Sequence, residues 1–481
     1  MTVLIVRERA VRASVRSTSS VWSTWSMWST PATIKAAAVA AVALTCCLAA
    51  LVAVLFGRLG GEFQSVGHSD VPEVDAATGM YFALNDMDAQ VANVLLADRN
   101  VAPDLAIYGR DRATADQDLQ QAMVTESGDA AAQRDLRSVL DRIGTYETLA
   151  ADALLTGQRA GAAAGASHAA SVAYYRQATD LMRTGILPTV DALTSVSASR
   201  LNATYQAGRA TVRAGIAAVA IAGALLLAAL AALQLYLSRR CRRLVNPALA
   251  AASVLTVALV AMTLTRLSAE AGHLQVAKAD AFDSILALTQ ARAVSYDANA
   301  DESRYLVDPG RAARYQQAFL SKSQQIAEVG PVGLGGYDAA LAAAIGAYQG
   351  SGSRVRFGGY LGAEFRNFTF PGERAAAVRA LLAYQRYEDA DRALRALAKH
   401  DMAAAVLFDT GTAPGQSDWA FNRYDAALSS VIAINFGAFT AAVHEGQGGA
   451  AGWDSGLPAA AGAGLAVLLL AGVRPRLAEY R

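Results

Sequence analysis

Cysteine is scarce in this chain and badly placed for cross-linking. Cys46, Cys47 and Cys241 are the three in 481 residues, and neither long segment, 57–213 or 266–456, contains one. A disulfide framework is therefore excluded from both, and any fold there must rest on a packed core. Lysine is nearly absent, at four against 38 arginines, a bias that reads as a GC-rich bacterial genome rather than a mechanism. The five histidines, His68, His168, His273, His400 and His444, have no metal-ligand spacing and no cysteines beside them outside the apolar runs. A nucleophile elbow, a phosphate-binding loop and a Gly-rich dinucleotide fingerprint are all missing. The chain is accordingly expected not to be an enzyme and to use no metal or cofactor. The basic residues of the N-terminal tail lie beside an apolar run, where such charges set topology, so nucleic acid is not expected as a partner.

Charge is missing altogether from four runs: Ala36–Phe56, Ala214–Leu237, Leu244–Thr265 and Leu457–Val473. A helix needs about 20 apolar residues to cross a bilayer core. The first three runs meet that length, and the fourth, with 17 residues, is bounded by Asp454 and Arg474. The expected layout is a cytoplasmic tail over 1–35, spans at 36–56, 214–237, 244–265 and 457–473, and a cytoplasmic end over 474–481. Between the second and third spans lies a cytoplasmic arginine hairpin, 238–243, with Arg239, Arg240, Arg242 and Arg243. The parts assigned inside carry twelve cations against two acids, whereas 57–213 and 266–456 together carry 39 acids against 30 bases. Basic segments stay in the cytoplasm, so both long segments are expected outside a plasma membrane, with both termini inside. A cleaved signal peptide competes for the first run. Its late start, its length and the absence of a small-residue cleavage site favour an uncleaved anchor. Trp22, Trp25 and Trp28, just ahead of it, suit an interfacial belt.

The long segments have helical periodicity. Phe282, Ile285, Thr289, Ala293, Tyr296, Ala300, Ser303 and Val307 form one stripe, and Phe421, Tyr424, Leu428, Val431, Asn435 and Phe439 form another. Residues 80–97, 131–155 and a run from Tyr174 read the same way. Only 353–370, with its glycines and aromatics, is a candidate for extended structure. The fold class is therefore all-α: four transmembrane helices with two extracytoplasmic helical-bundle modules, either repeats of one another or independent bundles. Gly57, Gly60 and Gly61, and the glycines ahead of the fourth span, are expected to act as loose tethers. The entries to the second span and from the third can be continuous helix.

One stretch, "DANADESRYL" at 297–306, resembles the start of a calcium loop, with Asp297, Asn299 and Asp301 at alternate positions and Asp308 at the twelfth. Glu302 occupies the position where such a loop turns on glycine, and the helical stripe continues through it, so a helix is expected instead. On that helix Asp301 can pair with Arg304, and Glu302 points away from the stripe. Counting from Arg266, residue 301 lies roughly 50 Å along a continuous helix, which would place the cluster at a membrane-distal tip. Two readings stay open there: a salt-bridge patch, or a surface for a small ligand or partner.

This layout, with "AFDSILALTQARAVSYDANADESRYL" and "FGGYLGAEFRNFTFPGERAAA", resembles the GlnX-type membrane proteins of actinobacteria. The resemblance implies a signal relay: an amino-acid-binding lipoprotein outside, reporting glutamate or aspartate, and a cytoplasmic protein kinase inside. It directs attention to Asp297, Asn299, Asp301 and Arg304, and to Glu364, Asn367 and Glu373 of the second phrase. The parts assigned to the cytoplasm are too short for a kinase or cyclase, so a separate protein must read the message. The alternative is an accessory subunit of a solute transporter, although the spans lack intramembrane charges. Oligomeric state is left open.

Overall fold

The computed structural model describes residues 30–65, 67, 71–96, 101–160, 168–241 and 246–478. The basic tail with its three tryptophans, and Arg242 and Arg243, lie outside the described residues. The protein is all-α, 89% helical with no strand among the described residues. The helices are α1 Thr30–Ser65, α2 Val71–Leu96, α3 Ala102–Thr125, α4 Ala130–Ala160, α5 Ala169–Leu181, α6 Leu187–Cys241, α7 Pro247–Gln275 and α8 Asp283–Val307. They continue as α9 Ala312–Ile326, α10 Leu334–Ser351, α11 Gly359–Glu364, α12 Glu373–Ala398, α13 Met402–Asp409, α14 Ser417–Ala450 and α15 Gly456–Ala478. Residues 353–370 hold the short α11 and irregular chain, not the extended structure the aromatics suggested.

Among the described residues, five helical stretches are long and apolar enough to cross a membrane: Pro31–Ser65, Ala169–Arg239, Pro247–Val307, Ser417–Ala450 and Gly456–Pro475. Three contain runs read from the sequence, and Pro247–Val307 holds all but the start of the remaining one. The fifth, α14, carries Asp418, Arg423, Asp425 and Glu445, and its Phe421, Tyr424, Leu428 and Val431 lie in a helical core. Packing accounts for its apolar face.

The chain divides into two compact units. The first takes residues up to Gly57, Arg213–Leu267 and Gly452 onward. Small residues let its helices approach closely: a Cβ added at Gly223 would meet Val260 Cγ2 at 2.5 Å. Asn246 caps the start of α7 with its Oδ1 and donates from Nδ2 to the Gly472 carbonyl at 2.8 Å. The glycines expected to loosen the first span do not: α1 runs unbroken through Gly57, Gly60 and Gly61 to Ser65.

The second unit holds Arg58–Val212 and Ser268–Ala451, so the two long segments pack as one body. Its first core gathers α2–α5 around Leu84, Leu136, Tyr146 and Tyr175, and draws in Leu306, Val307 and Leu394 from the second segment. A second core joins α8–α12 and α14 around Phe319, Tyr337, Tyr384, Tyr387 and Tyr424. Tyr384 lies 5.2 Å from Tyr424, and Tyr387 5.4 Å from Phe421, which makes α12 and α14 antiparallel. α8 is enclosed on every side, and fifteen of its residues are buried. Among the described residues, Met182–Ile186 ahead of α6 and Val276–Phe282 ahead of α8 are π-helical.

Candidate functional site

The enclosure of α8 decides the fate of its acidic stretch. Residues on the apolar stripe and residues opposite it are buried alike, so the charged side chains of 297–304 must find partners inside the protein. Arg304 has no exposed surface. It donates to Asp88 Oδ2 on α2 from Nε at 3.0 Å and from Nη2 at 2.7 Å. Its Nη1 reaches Asp297 Oδ1 and Asp301 Oδ1, each at 2.8 Å. Lys322 on α9 closes the other side, 2.6 Å from Asp297 Oδ2 and 2.5 Å from Asp301 Oδ2. Asp88 also accepts from Thr179 at 2.7 Å and Tyr146 at 3.2 Å. Arg183, on the first π-helical turn, stands 4.0 Å from Asp301. Three carboxylates and three cations thus meet in one buried group that ties the first long segment to the second. Burial alone would raise the Asp297 proton affinity, but Lys322, Arg304 and Arg183 outweigh it and hold the carboxyl well below the usual range.

The stretch is not an outward-facing surface. Asp301 and Arg304 are fully buried, Asp297 nearly so, and only Asn299 is half-buried, facing Asp418. Glu302, expected to point away, is buried as well, because α12 and α14 cover that side. It accepts from Ser417 at 2.8 Å, and burial followed by its acidic neighbours Asp391 and Asp409 raises its pKa far above the ordinary value. Glu302 lies beside Asp391, which Arg395 holds at 2.6–2.9 Å. Ser303 bridges Asn93 at 2.8 Å and Asp409 at 3.1 Å, and burial lifts Asp409 to about 7. Asp308, the would-be twelfth calcium ligand, is taken by Arg176, whose Nε donates at 2.7 Å. Among the described residues, no group of three or more His, Cys, Asp or Glu is arranged to hold a metal ion.

Glu364, Asn367 and Glu373 form a second, separate group. Asn367 Nδ2 donates to the carbonyls of Ala279 and Asp280, both at 3.1 Å, and to Ser284 Oγ at 2.9 Å. Those carbonyls belong to the π-helical turn, where the widened spacing leaves them poorly served by the helix itself. Glu373 accepts from the backbone of Thr369 and Phe370 at 2.7 and 2.9 Å. Glu364 is fully buried beside Ser284 and Glu373, and burial raises it to about 7. Arg142 serves the first π-helical turn similarly, donating to the Gly185 carbonyl at 2.5 Å. In the arginine hairpin, Arg239 is exposed near the end of α6, and only the backbone of Arg240 is described.

The sequence pattern passed over Asp88, Lys322, Arg183, Asp391 and Asp409 as partners. A signal existed for two of them. Lys322 stands on the buried face of α9 with Tyr315, Phe319 and Ile326, and Asp88 on that of α2 between Leu84 and Val91. A charge inside an apolar stripe has to be paired.

A family model described as an actinobacterial sensor domain matches residues 62–206. The match covers the first long segment, including Asp88, Tyr146 and Thr179. It supports a sensor protein of the actinobacterial kind, with a sensing or signalling role. No curated protein and no solved structure matches the chain.

Proposed function

We propose that the chain is a multi-pass, non-enzymatic membrane sensor that passes extracytoplasmic amino-acid status to a cytoplasmic partner such as a protein kinase. The observation that carries this reading is the sensor-domain match on a segment locked to the rest of its unit through Asp88 and Arg304. A sensor must move one element when another is loaded, and a buried ionic group is suited to that, having discrete paired and unpaired arrangements. Arg183 joins this group from the π-helical turn at the head of α6, and α6 then runs unbroken to Cys241. The asparagine-held turn heads α8 and directly follows α7. Repacking at 297–304 therefore has a helical path towards the apolar runs 214–237 and 244–265. The four runs are the proposed spans, with the second unit outside and both termini inside; the amino-acid-binding lipoprotein implied by the GlnX-type resemblance would load it.

Two measurements test this. Cysteines at exposed Gln120 and Ala339 should react with an impermeant maleimide in intact cells. Cells carrying the chain should change phosphorylation of the kinase's substrates after an aspartate or glutamate shift, and cells carrying Arg304→Met at equal abundance should not. Protection of either cysteine, or the same response without the chain, defeats the reading. Co-purification with a permease and no effect on phosphorylation would favour the transporter subunit.

A further inference from the structure

Several arginines of the second unit meet acids, among them Arg176, Arg292 and Arg311. On α12 itself, Arg392 pairs with Asp338 and Asp389, and Arg395 with Asp391. One groove gathers three arginines that do not. A cavity of about 370 Å³ between α12 and α14 is lined by Arg379, Arg386 and Arg423, with Leu382, Ala383 and Trp419 along its floor. The three arginines are exposed, and among the described residues no carboxylate lies within ion-pairing distance of any of them. Arg423 instead lies over the Trp419 ring, its guanidinium carbon 5.7 Å from the centroid. The lining has three cations, no acid, and one large half-buried aromatic.

The arrangement indicates the shape of the occupant. Because α12 and α14 are antiparallel, with 384 beside 424 and 387 beside 421, Arg386 and Arg423 share one end with Trp419. Arg379 marks the other end, level with Ser430. Seven helical residues separate Arg379 from Arg386, about 10 Å at 1.5 Å per residue. The two carboxylates of one small dicarboxylic acid lie closer together than that. In an extended peptide alternate side chains share a face, so two carboxylates four residues apart lie about 13 Å apart at about 3.3 Å per residue, within reach of the long arginine side chains, and the residue midway between them faces the same way. The apolar floor between the cations offers a seat to one apolar side chain in the middle. Arginine and tryptophan around such a floor are the residue types that anchor protein–protein contacts.

We propose that this groove docks an acidic segment of a partner protein, in extended form, with two carboxylates four residues apart and an apolar residue midway between them. Its carboxylates pair with Arg379 at one end and with Arg386 and Arg423 at the other, and its apolar side chain lies along Leu382, Ala383 and Trp419. The surface adds a partner contact to the sensing role proposed for this unit, but its test does not depend on what the sensor senses.

The full chain in nanodiscs of neutral lipid is titrated against a fluorescent peptide with an Asp-Ala-Leu-Ala-Asp core, followed by anisotropy. Binding should weaken with added salt and should be absent for the Lys-Ala-Leu-Ala-Lys peptide. The double reversal Arg379→Glu/Arg386→Glu should weaken it by about tenfold or more, as loss of charge complementarity does. Reversal of exposed Arg137, away from the groove, should leave it within about twofold, as expected of an exposed charge remote from the contact. Trp419→Ala should weaken it with the salt dependence kept. Unchanged binding by the double reversal overturns the proposal. Displacement of the peptide by glutarate or phosphate at equal charge also overturns it, since the groove then reads a lone anion.

Discussion

Replacing Arg304 by methionine removes the centre of the buried ionic group while keeping most of the side-chain volume. The native guanidinium serves Asp88, Asp297 and Asp301 with no exposed surface of its own. Without it, Asp297 and Asp301 keep Lys322, but Asp88 keeps only the hydroxyls of Thr179 and Tyr146. A buried charge stripped of its partner costs about 3–5 kcal/mol, and Arg304→Met should lie in that range. Asp88→Asn removes one acid and leaves the guanidinium two others, so its cost should be nearer 1–3 kcal/mol, roughly that of a broken buried hydrogen bond. In the double variant the stranded carboxylate is gone. The two costs should therefore fall short of adding by about 1–3 kcal/mol, the usual coupling of groups in one network. Pulse proteolysis of the full chain in detergent across a urea series measures all four stabilities. Costs that add to within about 0.5 kcal/mol would mean the two side chains do not share a network, and the reasoning would fail.

Three further outcomes follow from the same groups. Burial raises Glu388 to about 8 and both Glu364 and Asp409 to about 7, above their ordinary values of 4.5 and 3.8. Folding then binds protons: this stability is fully present below the ordinary carboxylate range and is lost as pH rises through about 7–8, so the unfolding midpoint should fall across that window. Glu388→Gln should flatten the fall, and an unaltered slope would refute the assignment. Asn367→Ala should cost about 1 kcal/mol and speed amide exchange within 276–284 more than in α12, because it strips a donor from the π-helical turn; uniform exchange would count against the clasp. Calorimetric titration with calcium should give no isotherm from 297–308, since Arg304, Lys322 and Arg176 occupy its carboxylates. An isotherm abolished by Asp308→Asn would overturn that.

What the sequence determined by itself was whatever repeats locally. Runs without charge stand out because a single ionisable side chain is costly among lipid tails, and helical stripes stand out because one face of a helix must be dry. The Asp301–Arg304 pair was legible for the same reason, three residues apart on one helix. Tertiary structure decided which faces were dry. α8 carries a single apolar stripe yet is enclosed on all sides, so Glu302, expected in water, lies in the interior beside Asp391. The Asp88–Arg304 pair joins residues 216 apart, and no periodicity encodes such a meeting. The π-helical turn beneath Asn367 and the arginine groove between α12 and α14 exist only once separate helices are side by side. Pairing and enclosure depend on distance in space, and sequence spacing reports that distance only within a few helical turns.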